Sequence, residues 1–126
     1  MSEHELKEKI TNLKLKSGIV YNLIKDLLPN QIKLYKDVAK SENFTIFFND
    51  EESISLVLSF LENNLNISET AKHVFMHRNT LIYRLDKITK LTGLDIRKFD
   101  DAMTMYILLV INFKENNTAH NIQCVF

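Results

Sequence analysis

Four consecutive polar side chains, His77, Arg78, Asn79 and Thr80, are followed by Leu81 and, about one helical turn on, by Tyr83 and Arg84. Arginine pairs bidentately with O6 and N7 of guanine, and asparagine with N6 and N7 of adenine. Histidine, threonine, tyrosine and lysine bond phosphate oxygens, which set register on a duplex without reading it. The chemistry this set offers is recognition of nucleic acid. Arg78 and Asn79 are the base-reading candidates, and Asn79 could instead make a local capping bond. His77 either caps a helix or touches phosphate, and Thr80 either contacts phosphate or caps. Tyr83 reaches a phosphate or a sugar, or is merely exposed. Arg84 contacts DNA or makes a structural ion pair. Lys72, Lys87 and, further along, Lys90 are generic phosphate candidates.

These side chains act together only from the start of a helix that presents them outward. Leu81, Leu85, Ile88 and Thr92 recur in steps of four, three and four, the spacing of one helical face. The pattern predicts a helix from about Arg78 to Thr92. Asn79, Tyr83, Asp86 and Lys90 lie on its opposite face, with Ile82 and Lys87 at the edges. Gly93 is the expected residue just beyond its end, where positive φ is usual. Upstream, Ser68 is an expected cap for a short helix, Glu69 to Phe75, with Ala71 and Val74 facing inward. Met76-His77 is the break. A two-helix unit with its polar residues at the start of the second helix is the arrangement that enters the DNA major groove.

Around this unit the pattern remains helical. Asp50 is an N-cap candidate, with Glu51 and Glu52 in the first turn of a helix that buries Ile54, Val57, Leu58, Leu61 and Leu65 and ends at Asn63-Asn64. Asn43 to Asn49, rich in aromatic and β-branched residues, reads as a short strand or an extended buried linker. Asn30 to Lys40 puts Ile32, Leu34, Tyr35 and Val38 on a helix-like face. Leu6, Ile10, Leu13, Ser17, Val20, Ile24 and Leu27 form a heptad-like stripe that Pro29 ends. It either packs on its own domain or forms a dimer. A last helix from Phe99 or Asp100 to about Lys114 is apolar nearly all round, the mark of burial in a core or against another subunit.

The whole chain of 126 residues suits one domain or a small domain with a helical extension. Its apolar fraction of 45% is that of a globular protein, and Gly18, Gly93 and Pro29 are its only breakers. The expected architecture is all-α. Residues 1–49 form an N-terminal helical extension available for dimerisation, 50–114 a helix-turn-helix DNA-binding domain, and 115–126 a flexible tail. Net charge is zero, but its distribution is uneven. From Ser68 to Lys98 seven cations face three anions, whereas Glu42 to Asn66 carries five anions and no cation. A local basic patch suffices to attract phosphates, because the Debye length is about 8 Å at physiological salt. By charge alone, a solvated helix face is an equal reading.

Other function classes fare worse. His4, His73, His77 and His120 form no HExxH, and neither a Cys–His spacing nor a glycine-rich phosphate loop occurs. Cys124 stands alone. Neither catalysis nor a metal or other cofactor is expected. No apolar stretch is long enough to span a bilayer, and a cytoplasmic location is expected.

LSFLENNLNISETA (58–71), HRNTLIYRL (77–85) and KLTGLD (90–95) together resemble the C-terminal helix-turn-helix domain of PucR/CdaR-type bacterial regulators, over about Ser53 to Phe113. The second stretch is also similar to the recognition helix of the Fis nucleoid protein. The resemblance implies an all-helical DNA-binding domain acting as a dimer or larger oligomer. In it, Ser68 to Phe75 is the supporting helix, and His77, Arg78, Asn79 and Thr80 open the recognition helix with Tyr83 and Arg84 one turn on. Phe75 stands where many helix-turn-helix units have a turn glycine. Regulators of this type carry a long sensor region ahead of the domain. Residues 1–49 are too short for a GAF-like or GGDEF-like domain, so no purine or sugar-diacid inducer is carried over. The expectation is a homodimeric, sequence-specific transcriptional regulator of double-stranded DNA. The competing expectation is a small helical adaptor or anti-regulator that binds a protein partner through its apolar helices.

Overall fold

The computed structural model describes residues 2–5, 8 and 29–120. Among the described residues there is no strand. From Pro29 to His120 six helices run in order: α1 (Pro29–Ala39), α2 (Glu42–Phe48), α3 (Glu51–Glu62), α4 (Ile67–His73), α5 (Arg78–Thr92) and α6 (Phe99–His120). The fold is all-α, as the pattern predicts. The heptad-like stripe from Leu6 to Leu27 and the residues from Asn121 onward lie outside the described residues.

The chain divides into two compact units. One is Glu42–Met105; the described part of the other comprises α1 and α6 from Tyr106. In the latter, Ile32 and Ile111 are buried, and Tyr35 and Ile107 pack against them. Leu34 and Val38 do not share that face and are exposed. The helical repeat explains this: Leu34 is two residues, some 200°, around the helix from Ile32.

In the unit Glu42–Met105, the segment expected as a strand or linker is the helix α2. Phe44, Phe47 and Phe48 stand at i, i+3 and i+4, so a helix gathers all three rings on one face. Their centroids lie 5.5–6.1 Å apart, with Phe44 and Phe47 edge-to-face. Phe44 and Phe47 are buried, and α2 packs on both α3 and α5. A strand would have split the rings between two faces.

Asp50 caps α3 as expected: Glu52 N–H donates to its carboxylate at 3.2 Å and the Ser53 hydroxyl at 2.8 Å. α3 buries more than its expected stripe, adding Leu56, Ser59 and Phe60, while Leu61 and Leu65 are half-buried. Its end is a Schellman turn. Asn64 N–H donates to Leu61 C=O at 3.2 Å and Leu65 N–H to Phe60 C=O at 3.0 Å, with Asn64 left-handed at φ 57.

The next helix begins two residues earlier than expected. Asn66, not Ser68, is the cap of α4: it is extended, and Glu69 N–H donates to its Oδ1 at 2.8 Å. Ser68 lies within the first turn, exposed. The chain leaves the α3 turn already extended at Asn66, so no spacer residues remain before α4. α4 ends at His73 rather than Phe75. Its buried residues are Ala71 and Thr70, whose hydroxyl donates to Asn66 C=O at 2.7 Å; Val74 is half-buried.

α6 continues to His120, past the expected end near Lys114. Neither glycine nor proline interrupts it, and Asp100 and Asp101 suit the positive end of its dipole. Met105 and Leu108–Ile111 are buried, but Met103 is exposed, so burial is not complete around the helix.

The two capping candidates are separable by mutation. Asn66→Ala is expected to cost about 1 kcal/mol in urea unfolding, the value of an N-cap bond. Ser68→Ala is expected to change stability by less than about 0.5 kcal/mol.

Candidate nucleic-acid interface

α5 spans Arg78–Thr92, as the periodicity predicts. Leu81, Leu85 and Ile88 are buried, and α2 and α4 both pack on this helix. Three buried side chains on one stripe determine which face of α5 remains outside. Arg78, Asn79, Thr80, Tyr83, Lys87 and Lys90 are all exposed.

The turn before α5 is short. α4 closes through Phe75, left-handed at φ 54, and Met76. His77 is then the N-cap: its backbone is extended and its Nδ1 accepts from Asn79 N–H at 3.0 Å. The capping role therefore falls to His77. Because Nδ1 accepts, the proton of the neutral ring sits on Nε2, a donor outside the capping bond. Gly93 closes α5 at φ 79, with its N–H donating to Thr89 C=O at 2.8 Å.

The basic residues divide by their partners. Arg84 pairs with Glu52 of α3 at 3.2 Å, the structural alternative foreseen for it. The pair is exposed and contributes little to stability. It nonetheless sets a carboxylate of the acidic segment beside α5. Lys72 lies 3.7 Å from Glu69 on α4. The Lys87 ammonium sits 5.6 Å from the centre of the Tyr83 ring, a cation–π contact on the exposed face.

One network was not foreseen. Arg97, in the loop between α5 and α6, donates from Nη2 to Asp86 Oδ1 at 2.8 Å and from Nε to Asp95 Oδ1 at 2.7 Å. Asp95 N–H in turn donates to the Asp101 carboxylate at 2.9 Å. The network ties the middle of α5 to the loop and to the first turn of α6. The bond from Arg97 holds the Asp95 carboxyl below the usual carboxylate range, against the opposing effect of burial. The bond to Asp95 likewise holds the Arg97 guanidinium more firmly charged. Asp86 and Arg97 are eleven residues apart, too far for a local rule to join them.

Among the described residues no group of histidine, cysteine and carboxylate side chains is arranged to hold a metal ion. No described helix is long and apolar enough to cross a membrane.

Two helices joined by a tight turn, the second opening with exposed polar residues and backed by a third, define a helix-turn-helix unit. Residues 54–111 match the PucR C-terminal helix-turn-helix domain, and this part of the chain is such a domain. The chain is 43% identical over 54 residues to the carbohydrate diacid regulator of Escherichia coli, covering 43% of this chain and 14% of that protein. It is 39% identical over 61 residues to the purine catabolism regulatory protein of Bacillus subtilis, covering 48% and 12%. A longer match, 31% over 86 residues, is to the protein YxkF of Bacillus subtilis, covering 68% and 29%. The chain thus spans less than a third of the length of each of these relatives. No solved structure matches it significantly.

The Arg97 network makes a pH-dependent prediction. Asp95 titrates below its unfolded value, so its contribution is present at neutral pH and is lost as the pH falls below about 4. Arg97→Met is expected to cost about 1 kcal/mol at pH 7 in urea unfolding. The difference from wild type should shrink at pH 3, and a difference independent of pH would contradict the assignment.

Proposed function

We propose that this chain is a sequence-specific DNA-binding transcriptional regulator that acts as a homodimer. The observation that carries the reading is the start of α5: a helix held by its buried stripe, capped by His77, and opening with exposed Arg78, Asn79 and Thr80. In this reading that turn enters the major groove. Arg78 takes a guanine through O6 and N7, and Asn79 an adjacent adenine through N6 and N7. His77, Thr80 and Tyr83 contact phosphate or sugar, and Lys72 and Lys87 add charge along the backbone. Arg84 is engaged by Glu52 of α3 and adds charge beside the backbone rather than a base contact. Two copies would place two recognition helices about one helical turn of DNA apart. The regulator and catabolism names of the relatives support a role in transcription control and leave the inducer open.

The test is selection of bound fragments from a genomic DNA pool at physiological salt, with wild type beside Arg78→Ala/Asn79→Ala. Wild type is expected to enrich a palindromic site, and the variant to enrich none while remaining folded. If neither enriches a site and both are folded, the reading fails and an adaptor that binds protein takes its place. On the selected site, Lys87→Ala should reduce the slope of log affinity against log salt by about one unit.

A further inference from the structure

We propose that Phe75 is a base-reading residue, its ring packing on the 5-methyl group of a thymine beside the base pair read by Arg78. The inference rests on the reading that the start of α5 enters the major groove.

The first observation is conformational. Phe75 N–H donates to Lys72 C=O at 3.3 Å and Met76 N–H to Ala71 C=O at 3.0 Å, with Phe75 left-handed at φ 54. This is a Schellman turn, and its left-handed position is usually glycine, sometimes asparagine, because a Cβ is crowded there. Elsewhere the chain has one other left-handed residue with a large apolar side chain, Leu65 at φ 62, and that side chain is half-buried. The residue at the equivalent position of the turn is Asn64 after α3, and Gly93 follows α5. At the turn that leads into the recognition helix, it is a phenylalanine.

The second observation is exposure. Phe75 is 97% exposed, so nothing in the described structure offsets the strained backbone by burying its ring. The left-handed backbone costs folding energy, and the exposed ring contributes none in return. Burial in a complex is the compensation physics allows.

The surroundings indicate the partner. Lys72, His73, His77, Arg78, Asn79 and Thr80, the polar neighbours along the chain, are all exposed. One ring among cations and amides does not make an apolar protein-binding face, but it suits the edge of a groove walled by phosphates. Phe75 and Arg78 are three positions apart, so their Cα atoms are at most about 11 Å from each other. A side chain so placed is within reach of the same groove, where the apolar group on the base edges is the thymine methyl.

The experiment uses the site selected by the wild-type chain and measures affinity for wild type and Phe75→Gly. Glycine suits φ 54, so the variant should melt at the same temperature or higher, which separates loss of contact from loss of fold. Phe75→Gly is expected to bind about tenfold more weakly. Each thymine of the site is then replaced in turn by deoxyuridine, which lacks the methyl group. At one position this should weaken wild type about fourfold, the worth of one buried methyl-sized group, and leave Phe75→Gly unchanged. If wild type selects no site, the groove reading itself has failed. If it selects one and Phe75→Gly binds equally well, or if every deoxyuridine affects both proteins alike, Phe75 reads no methyl group and only this inference falls.

Discussion

The buried stripe of α5 is the constraint on which the rest depends. Leu81, Leu85 and Ile88 are each no more than 4% exposed. Full burial of such side chains stabilises by roughly 1.5–3 kcal/mol apiece. Rotating α5 by one residue, about 100°, would bring this face toward solvent and carry charged neighbours inward. The helix therefore has one permitted rotation. That rotation leaves Arg78, Asn79, Tyr83, Lys87 and Lys90 outside. The exposed chemistry is a consequence of where the leucines and isoleucine had to go.

Helix ends supply the second level of control. Asp50, Asn66 and His77 cap three successive helices, and Asn64, Phe75 and Gly93 close them with left-handed residues. Each turn satisfies backbone groups that the helices leave open, so the path from α3 to α5 is set within a few residues. Charge then divides between structure and surface. Arg97 is held by Asp86 and Asp95, and Arg84 by Glu52. Among the described residues Arg78 forms no ion pair and stands exposed at the start of α5. The basic excess counted along the sequence is thus unequal in use.

Much of this was legible because it is local. The spacing of Leu81, Leu85 and Ile88 gave the bounds of α5, and Asp50 and Gly93 marked helix ends by side-chain chemistry and conformational freedom. The motifs spanning His77 to Asp95 identified the domain. What escaped was decided by packing or by distant partners. α2 has only seven residues of mixed propensity, and its helical state follows from bringing three phenylalanines to one face. Asn66 and Ser68 are both competent caps, and the geometry of the preceding turn chooses between them. Arg97 finds Asp86 across eleven positions. Phe75 stood out in sequence as an unusual turn residue, but its conformation and exposure needed the coordinates.

The central claim is that the turn before α5 and the first turn of α5 form the surface that meets DNA. Amide hydrogen exchange on the full chain, free and saturated with a genomic DNA fragment that it retains, tests this most directly. The account predicts slowed exchange concentrated between Phe75 and Arg84, with α3 from Ile54 to Phe60 unchanged. Slowing confined to α1 or α6, with Phe75–Arg84 unaffected, would contradict it.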